Sequence, residues 1–151
     1  MRFRIQAVVL PSEAGEFADD VRRIFSELGR TLGEQLTGEC SPAIDVYETD
    51  ETIEITADMP GVAPDGLRIV AKGQTILIAG LKIPRRSRGD SSFHLVERGY
   101  GRFARAVRLT AACDSSRARA SIVDGELHLS LPKIAERRNT AIRIPITSRA
   151  H

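Results

Sequence analysis

Between Ala118 and Leu131 the chain carries its strongest local instruction. Ala118, Ala120 and Ile122 fall in one phase, Asp124-Gly125 follows, and Leu127, Leu129 and Leu131 resume the alternation. A period of two places every second side chain on one face of a strand. Asp-Gly supplies the positive φ angles of a two-residue turn, so the stretch predicts a β-hairpin. A chain that ends its apolar pattern this way is committed to antiparallel sheet.

A second stretch precedes it, from Glu97-Arg98-Gly99-Tyr100-Gly101-Arg102 into Phe103-Ala104-Arg105-Ala106-Val107-Arg108-Leu109. The two glycines predict a tight turn. From Phe103 onward, Phe103, Val107 and Leu109 share a phase with Arg105, against Ala104, Ala106 and Arg108, which predicts another strand. Upstream, Ile44 and Val46 form a short strand, and Asp50-Glu51 turns the chain into Ile53, Ile55 and Ala57. Pro60-Gly61 and Pro64-Asp65-Gly66 mark turns, Leu67, Ile69 and Ala71 a strand ended by Gly73. Thr75 to Ala79 is apolar on both faces, which places it centrally in a sheet. Many short strands divided by turn signals predict an all-β, immunoglobulin-like antiparallel β-sandwich.

Glu97-Arg98-Gly99-x-Gly101-x-Phe103-x-Arg105, Gly125-x-Leu127 and Leu131-Pro132-Lys133 resemble the small heat-shock proteins, the alpha-crystallin family. Asp45-Val46-Tyr47-Glu48 and Asp58-Met59-Pro60-Gly61-Val62 match the start of that domain, and Ile142-Arg143-Ile144-Pro145-Ile146 its isoleucine-x-isoleucine tail. The resemblance spans residues 42 to 146 in ordered blocks. It divides the chain into a partly helical arm (1–41), a sandwich domain (42–134) and a flexible C-terminal extension (135–151). Two positions depart from the pattern: Leu109-Thr110 where Leu-Pro is usual, and Glu126 where Val usually follows the glycine.

In the arm, Phe3, Ile5, Ala7 and Val9 alternate with Arg2 and Arg4, a strand-like pattern that Pro11-Ser12 breaks. Phe17, Val21, Ile24, Phe25, Leu28, Leu32 and Leu36 then follow helical spacing behind Ser12 as a partial N-cap, with Gly38 as the stop. Gly29 and Gly33 each weaken such a helix by roughly 1 kcal/mol relative to Ala. The stripe can pack on its own domain or stay available to neighbouring subunits and unfolded clients; because a separate β-domain follows, the second reading is favoured. Client contact is thereby expected at Phe17, Val21, Ile24, Phe25, Leu28 and Leu32.

Lys82 to Ser92 is polar, and its cluster Arg85, Arg86 and Arg88 reads as a solvated loop, since no aromatics interleave it for nucleic acid. The resemblance implies a long loop whose small strand, Phe93-His94-Leu95-Val96, pairs with a partner subunit's sheet, with Arg108 at the dimer interface facing a carboxylate. It also implies that Ile142, Ile144 and Ile146 dock in another subunit's groove walled by strands near Leu67, Ile69, Leu127 and Leu129. The docking pair can be 142/144 or 144/146, and the alternative is a strand folding back on its own domain. Pro145 lacks an N–H, so pairing there is one-sided.

Composition narrows the functions left. Hydrophobic content of 42% with 28% charged residues is globular. With 22 basic and 20 acidic residues the charge is only +2, too weak to imply nucleic acid or a membrane surface. Lysine stands only at 72, 82 and 133; the remaining basic residues are arginines, which suit bidentate carboxylate pairing. Cys40 and Cys113 are too far apart for a metal pair and read as free thiols. No apolar run reaches signal-peptide or transmembrane length, so a cytoplasmic protein without a membrane span is expected. Gly99-x-Gly101-x-x-Ala104 matches a dinucleotide fingerprint formally, but a strand follows it where that motif requires a helix. His94, His128 and His151 sit beside no nucleophile, no Ca²⁺ loop or phosphate loop appears, and neither cofactor, metal nor enzymatic activity is expected. What the resemblance implies is an ATP-independent holdase, a chaperone that binds partly unfolded proteins and prevents their aggregation, working as a homo-oligomer built from dimers. The alternative is a co-chaperone-like sandwich module binding one defined partner.

Overall fold

The computed structural model describes residues 9–10, 17–32, 40–84, 89–134, 141 and 143–147. Ser12, Gly33, Leu36, Gly38, the arginines 85, 86 and 88, Ile142 and His151 lie outside the described residues, as does most of the alternating run at the N-terminus. Within them, β1 (Val9–Leu10) is all that is described of the first strand-like run, and α1 (Ala18–Leu32) stands between it and the remaining strands. The sheets take β2 (Ile44–Glu48), β3 (Thr52–Asp58), β4 (Leu67–Lys72), β5 (Thr75–Lys82), β6 (Gly101–Arg108), β7 (Arg119–Val123) and β8 (Glu126–Pro132).

Two four-stranded antiparallel sheets form a sandwich, in the orders β1-β6-β5-β4 and β2-β3-β8-β7. The alternation read from sequence sets what lies between them. Ile53, Ile55 and Ala57 from β3 and Leu127, Leu129 and Leu131 from β8 meet Ile76, Ile78, Phe103 and Val107 from the opposite sheet. Asp124-Gly125 is the two-residue turn joining β7 to β8, with φ of 52° and 80° and Val123 paired to Glu126. That conformation is the turn whose twist matches the flanking strands.

The other predicted turns stand at Pro60-Gly61 and in a single 3-10 turn, Pro64–Gly66. Gly99-Tyr100 does not make the expected tight turn. The chain runs irregularly from Leu95 into β6, and only Gly101, at φ 119°, uses the glycine conformation.

Which edges lie together follows from two hydrogen bonds. The Cys40 N–H donates to the Arg102 carbonyl at 2.9 Å, and Arg105 Nη1 donates to the Pro42 carbonyl at 2.5 Å. They fasten the segment entering β2 along the outer edge of β6, so β2 and β6 share one side of the sandwich. The edge strands β4 and β7 therefore flank the other. Three lysines do local work: Lys133 pairs with Glu48 at 2.5 Å, Lys82 lies over the Tyr100 ring, and Lys72 reaches α1.

Candidate functional surfaces

The first surface is the outer face of the sheet holding β5 and β6. In β5, Ile76 and Ile78 enter the core, while Leu77, Ala79 and Leu81 face outward with Ala104 and Ala106 of β6. This is why the run at 75–79 is apolar in both phases. Phe17, Val21, Ile24 and Leu28 cover those residues, and all nine are buried together. Phe25, Leu32, Val70 and Ile83 are half-buried around them. The helical stripe expected to stand free for clients is thus packed on its own domain. The reason is complementary: the sheet exposes an apolar face that would otherwise be wet, at roughly 25 cal/mol per Å².

Polar contacts hold the helix at both flanks. Lys72 Nζ lies 2.8 Å from Asp20 and 5.3 Å from the centre of the Phe17 ring. The Arg102 guanidinium lies over Phe25 at 5.4 Å. Neither Lys72 nor Arg102 stands out in the sequence as a helix-docking residue. The available signal was phase, since Lys72 shares the outward side of β4 with Val70. The hydrogen bond from Lys72 holds the Asp20 carboxyl below its usual value, aided by the Lys72 and Arg23 charges and opposed by desolvation. A depressed carboxylate stabilises the folded form above its unfolded pKa of about 4, and that contribution is lost as pH falls through the folded value. Helix docking should therefore hold from neutrality to about pH 4 and weaken below it. Hydrogen exchange of the α1 amides, corrected for intrinsic rate, should show this acid loss in the wild type and a flat response in Asp20→Asn.

The second surface is the β4–β7 edge. Leu67 and Ile69 of β4 are half-buried against the core, as are Ala118 and Ile122 on the other sheet. Leu127 and Leu129 are 1% and 2% exposed, because their phase points between the sheets. They lie at the floor beneath this edge and do not wall an open groove, which corrects that part of the expectation. Ile144 and Ile146 touch nothing that buries them, at 82% and 97% exposed.

The third surface is the segment after the loop. Phe93, Leu95 and Val96 are 73%, 73% and 67% exposed, and His94 is exposed as well. The segment belongs to neither sheet, so the strand expected there is not formed within one chain. An extended segment becomes a strand only against a free edge, and β6 and β5, its neighbours in sequence, are already paired to each other. Arg108, at the exposed end of β6, makes no ion pair among the described residues. Among the described residues no strand pairs with the outer edge of β2, and that strand carries the exposed Tyr47.

No described group of three or more His, Cys, Asp or Glu side chains is placed to hold a metal ion. Burial pushes the Cys40 and Cys113 thiols above their usual value, so both are protonated and weakly nucleophilic at neutral pH. No helix among the described residues is long and apolar enough to cross a membrane.

Known proteins agree with this architecture. The Hsp20/alpha crystallin family model matches residues 45–147. Heat shock protein 16 of Schizosaccharomyces pombe is 29% identical over 135 residues, covering 86% of this chain and 94% of that protein. Spore protein SP21 of Stigmatella aurantiaca is 31% identical over 103 residues, 68% of this chain and 61% of its own length. Among solved structures, Heat shock protein 16.0 from Schizosaccharomyces pombe superposes with a TM-score of 0.62 at 29% identity, covering 72% of this chain and all of that one. A small heat-shock protein from Xylella fastidiosa gives 0.58 at 28% identity, covering 71% and 96%. The matched span takes in the strands from β2 to β8 almost entirely and the isoleucine tail, and on that ground the chain belongs to the Hsp20/alpha-crystallin family of small heat-shock proteins.

Proposed function

We propose that the protein is an ATP-independent holdase, which binds partly unfolded proteins and keeps them from aggregating. The observation that carries this reading is the pairing of two large apolar faces, α1 and the β5–β6 sheet, held together by packing and a few flanking contacts. A fold that stores apolar surface behind one helix can stay soluble at rest and offer that surface under stress. Phe17, Val21, Ile24, Phe25, Leu28 and Leu32 become client contacts only when the helix leaves the sheet. Heat favours that step, since docking a single helix is a small part of the total stability.

Assembly would use the other two surfaces. The segment at Phe93–Val96 adds to the β2 edge of a second subunit, taking main-chain hydrogen bonds there and covering its apolar side chains. Arg108 would meet a carboxylate across that interface. The isoleucine tail lies over another subunit's β4–β7 edge, against Leu67 and Ile69 above Leu127 and Leu129. Phe93→Ser with Leu95→Ser should shift the smallest stable unit from dimer to monomer, read by native mass spectrometry.

The direct test is the turbidity of a heat-labile protein mixed with a near-equimolar amount of this chain, without nucleotide. Suppressed scattering is expected. Unsuppressed scattering, with the added chain still folded by circular dichroism, would favour the module that binds one defined partner.

A further inference from the structure

We propose that the outer face of β5 and β6 is itself a binding site, and that α1 sits in it as a built-in stand-in for the ligand. The ligand is an amphipathic helical segment of a client. Its apolar side chains recur at i, i+4, i+7 and i+11, and an acidic residue lies beside the first of them. The proposal rests on the holdase reading and names the class of client segment that this face accepts.

The seated helix defines the requirement. Phe17, Val21, Ile24 and Leu28 stand at that spacing and are all buried. They lie on a floor that alternates large and small, with Leu77, Ala79 and Leu81 from β5 beside Ala104 and Ala106 from β6. Two alanines in the same phase of β6 let a helix approach the middle of the sheet closely. Leucines at 77 and 81 close the row on either side of Ala79. Such a floor takes a row of helical knobs and does not select their identity. What it does select is charge, because Lys72 stands at one flank 2.8 Å from Asp20 and Arg102 borders the face near Phe25. Basic groups at both flanks favour an acidic segment and disfavour a basic one. The helix's own outward side carries Arg22, Arg23, Glu27 and Arg30; of these Arg23 also reaches the seating acid, donating to Asp20 at 2.7 Å. A client helix can therefore replace α1 by mimicking four apolar positions and one acid.

Competition with α1 makes occupancy conditional. An intramolecular occupant lowers the apparent affinity for a second helix by the fraction of time the site is open. Stress would raise that fraction, and so would any change that weakens the Lys72–Asp20 pair.

The test uses the full chain and its Asp20→Lys variant, which sets like charges against each other at the flank. Three fluorescent peptides serve as probes: residues 17–32 of this chain, an unrelated designed helix with Phe, Val, Ile and Leu at the same spacing and one matching Asp, and that designed helix with the four apolar positions changed to Ser. The designed helix should bind Asp20→Lys at least about tenfold more tightly than wild type by fluorescence anisotropy. Its serine version should not bind, and adding Ala104→Glu to the Asp20→Lys chain should abolish binding while its circular dichroism remains that of a folded sandwich. Equal affinity for wild type and Asp20→Lys, binding of the serine version, or retention after Ala104→Glu would overturn the proposal. Binding of the 17–32 peptide alone would overturn it too, and would assign the face to the helix of a second copy. Suppression of aggregation without peptide binding would leave the holdase reading standing and this site refuted. Peptide binding without suppression would do the reverse.

Discussion

Gly80→Ala should cost the domain about 3 kcal/mol and lower its melting temperature by on the order of 10 °C or more. Gly80 lies in β5 between Leu67 of β4 and Phe103 of β6, on the side facing the core. A Cβ built there would come within 2.4 Å of the Gly66 carbonyl oxygen and 2.7 Å of Phe103 Cζ. The first neighbour is backbone and cannot swing away. The second is an aromatic ring, 2% exposed, packed over the space that a side chain would fill. Relief would require β4 and its preceding turn to move outward, opening the edge at Leu67 and Ile69. The substitution should therefore weaken tail docking as well as thermal stability. Circular dichroism melts read the first effect and light scattering the second. A melt within a degree or two of wild type would mean that β4 gives way without cost.

Changing Ile142, Ile144 and Ile146 together to alanine should reduce the assembly to dimers. Ile144 and Ile146 are 82% and 97% exposed, so the described residues of their own chain bury little of either. Each isoleucine is worth about 1.5–3 kcal/mol when buried, and every 1.4 kcal/mol is a tenfold change in affinity. Losing even two such anchors weakens a tail contact by two orders of magnitude or more. The single change Ile144→Ala removes the residue common to both possible docking pairs and should give a partial shift. Mass by multi-angle light scattering reads both variants, and an unchanged mass for the triple variant would exclude the tail from assembly. The sandwich should melt as the wild type does, since none of its buried residues is altered.

How much of this was legible in the sequence depended on whether the cause was local. The hairpin at Asp124-Gly125 was readable because the turn chemistry and both alternating runs are contiguous, and the turn has its two positive φ angles. The double-sided burial of β5 was readable as a run without polar positions, and the β4 strand ended at Gly73 as its pattern required. What covers the outer side of β5 was not readable. An apolar stripe on a helix states that it must be buried, not against what, and the stripe from Phe17 to Leu28 fits its own sheet as well as a stranger's surface. The same limit explains Phe93–Val96: its pattern marks it as able to pair, whereas a strand exists only when an edge is offered. The resemblance places Leu127 and Leu129 in groove walls, while their alternation with His128 points them inward. Gly80 gave no sign of its role, because the atoms that exclude a Cβ come from residues 66 and 103, distant in sequence.

The exchange of Leu-Pro for Leu109-Thr110 has a local consequence. Thr110 Oγ1 comes within 3.4 Å of Glu48, the carboxylate that also pairs with Lys133. The position thus ties the end of β6 to the end of β2 by side chains where proline would have stiffened the backbone.

Holdase action is tested most directly by heating a labile enzyme with this chain, without nucleotide, and separating the soluble fraction by size-exclusion chromatography. One soluble high-mass peak containing both proteins is expected, formed in step with loss of the enzyme's activity. Recovery of the enzyme only in the pellet, with this chain eluting alone at its original size, would contradict it.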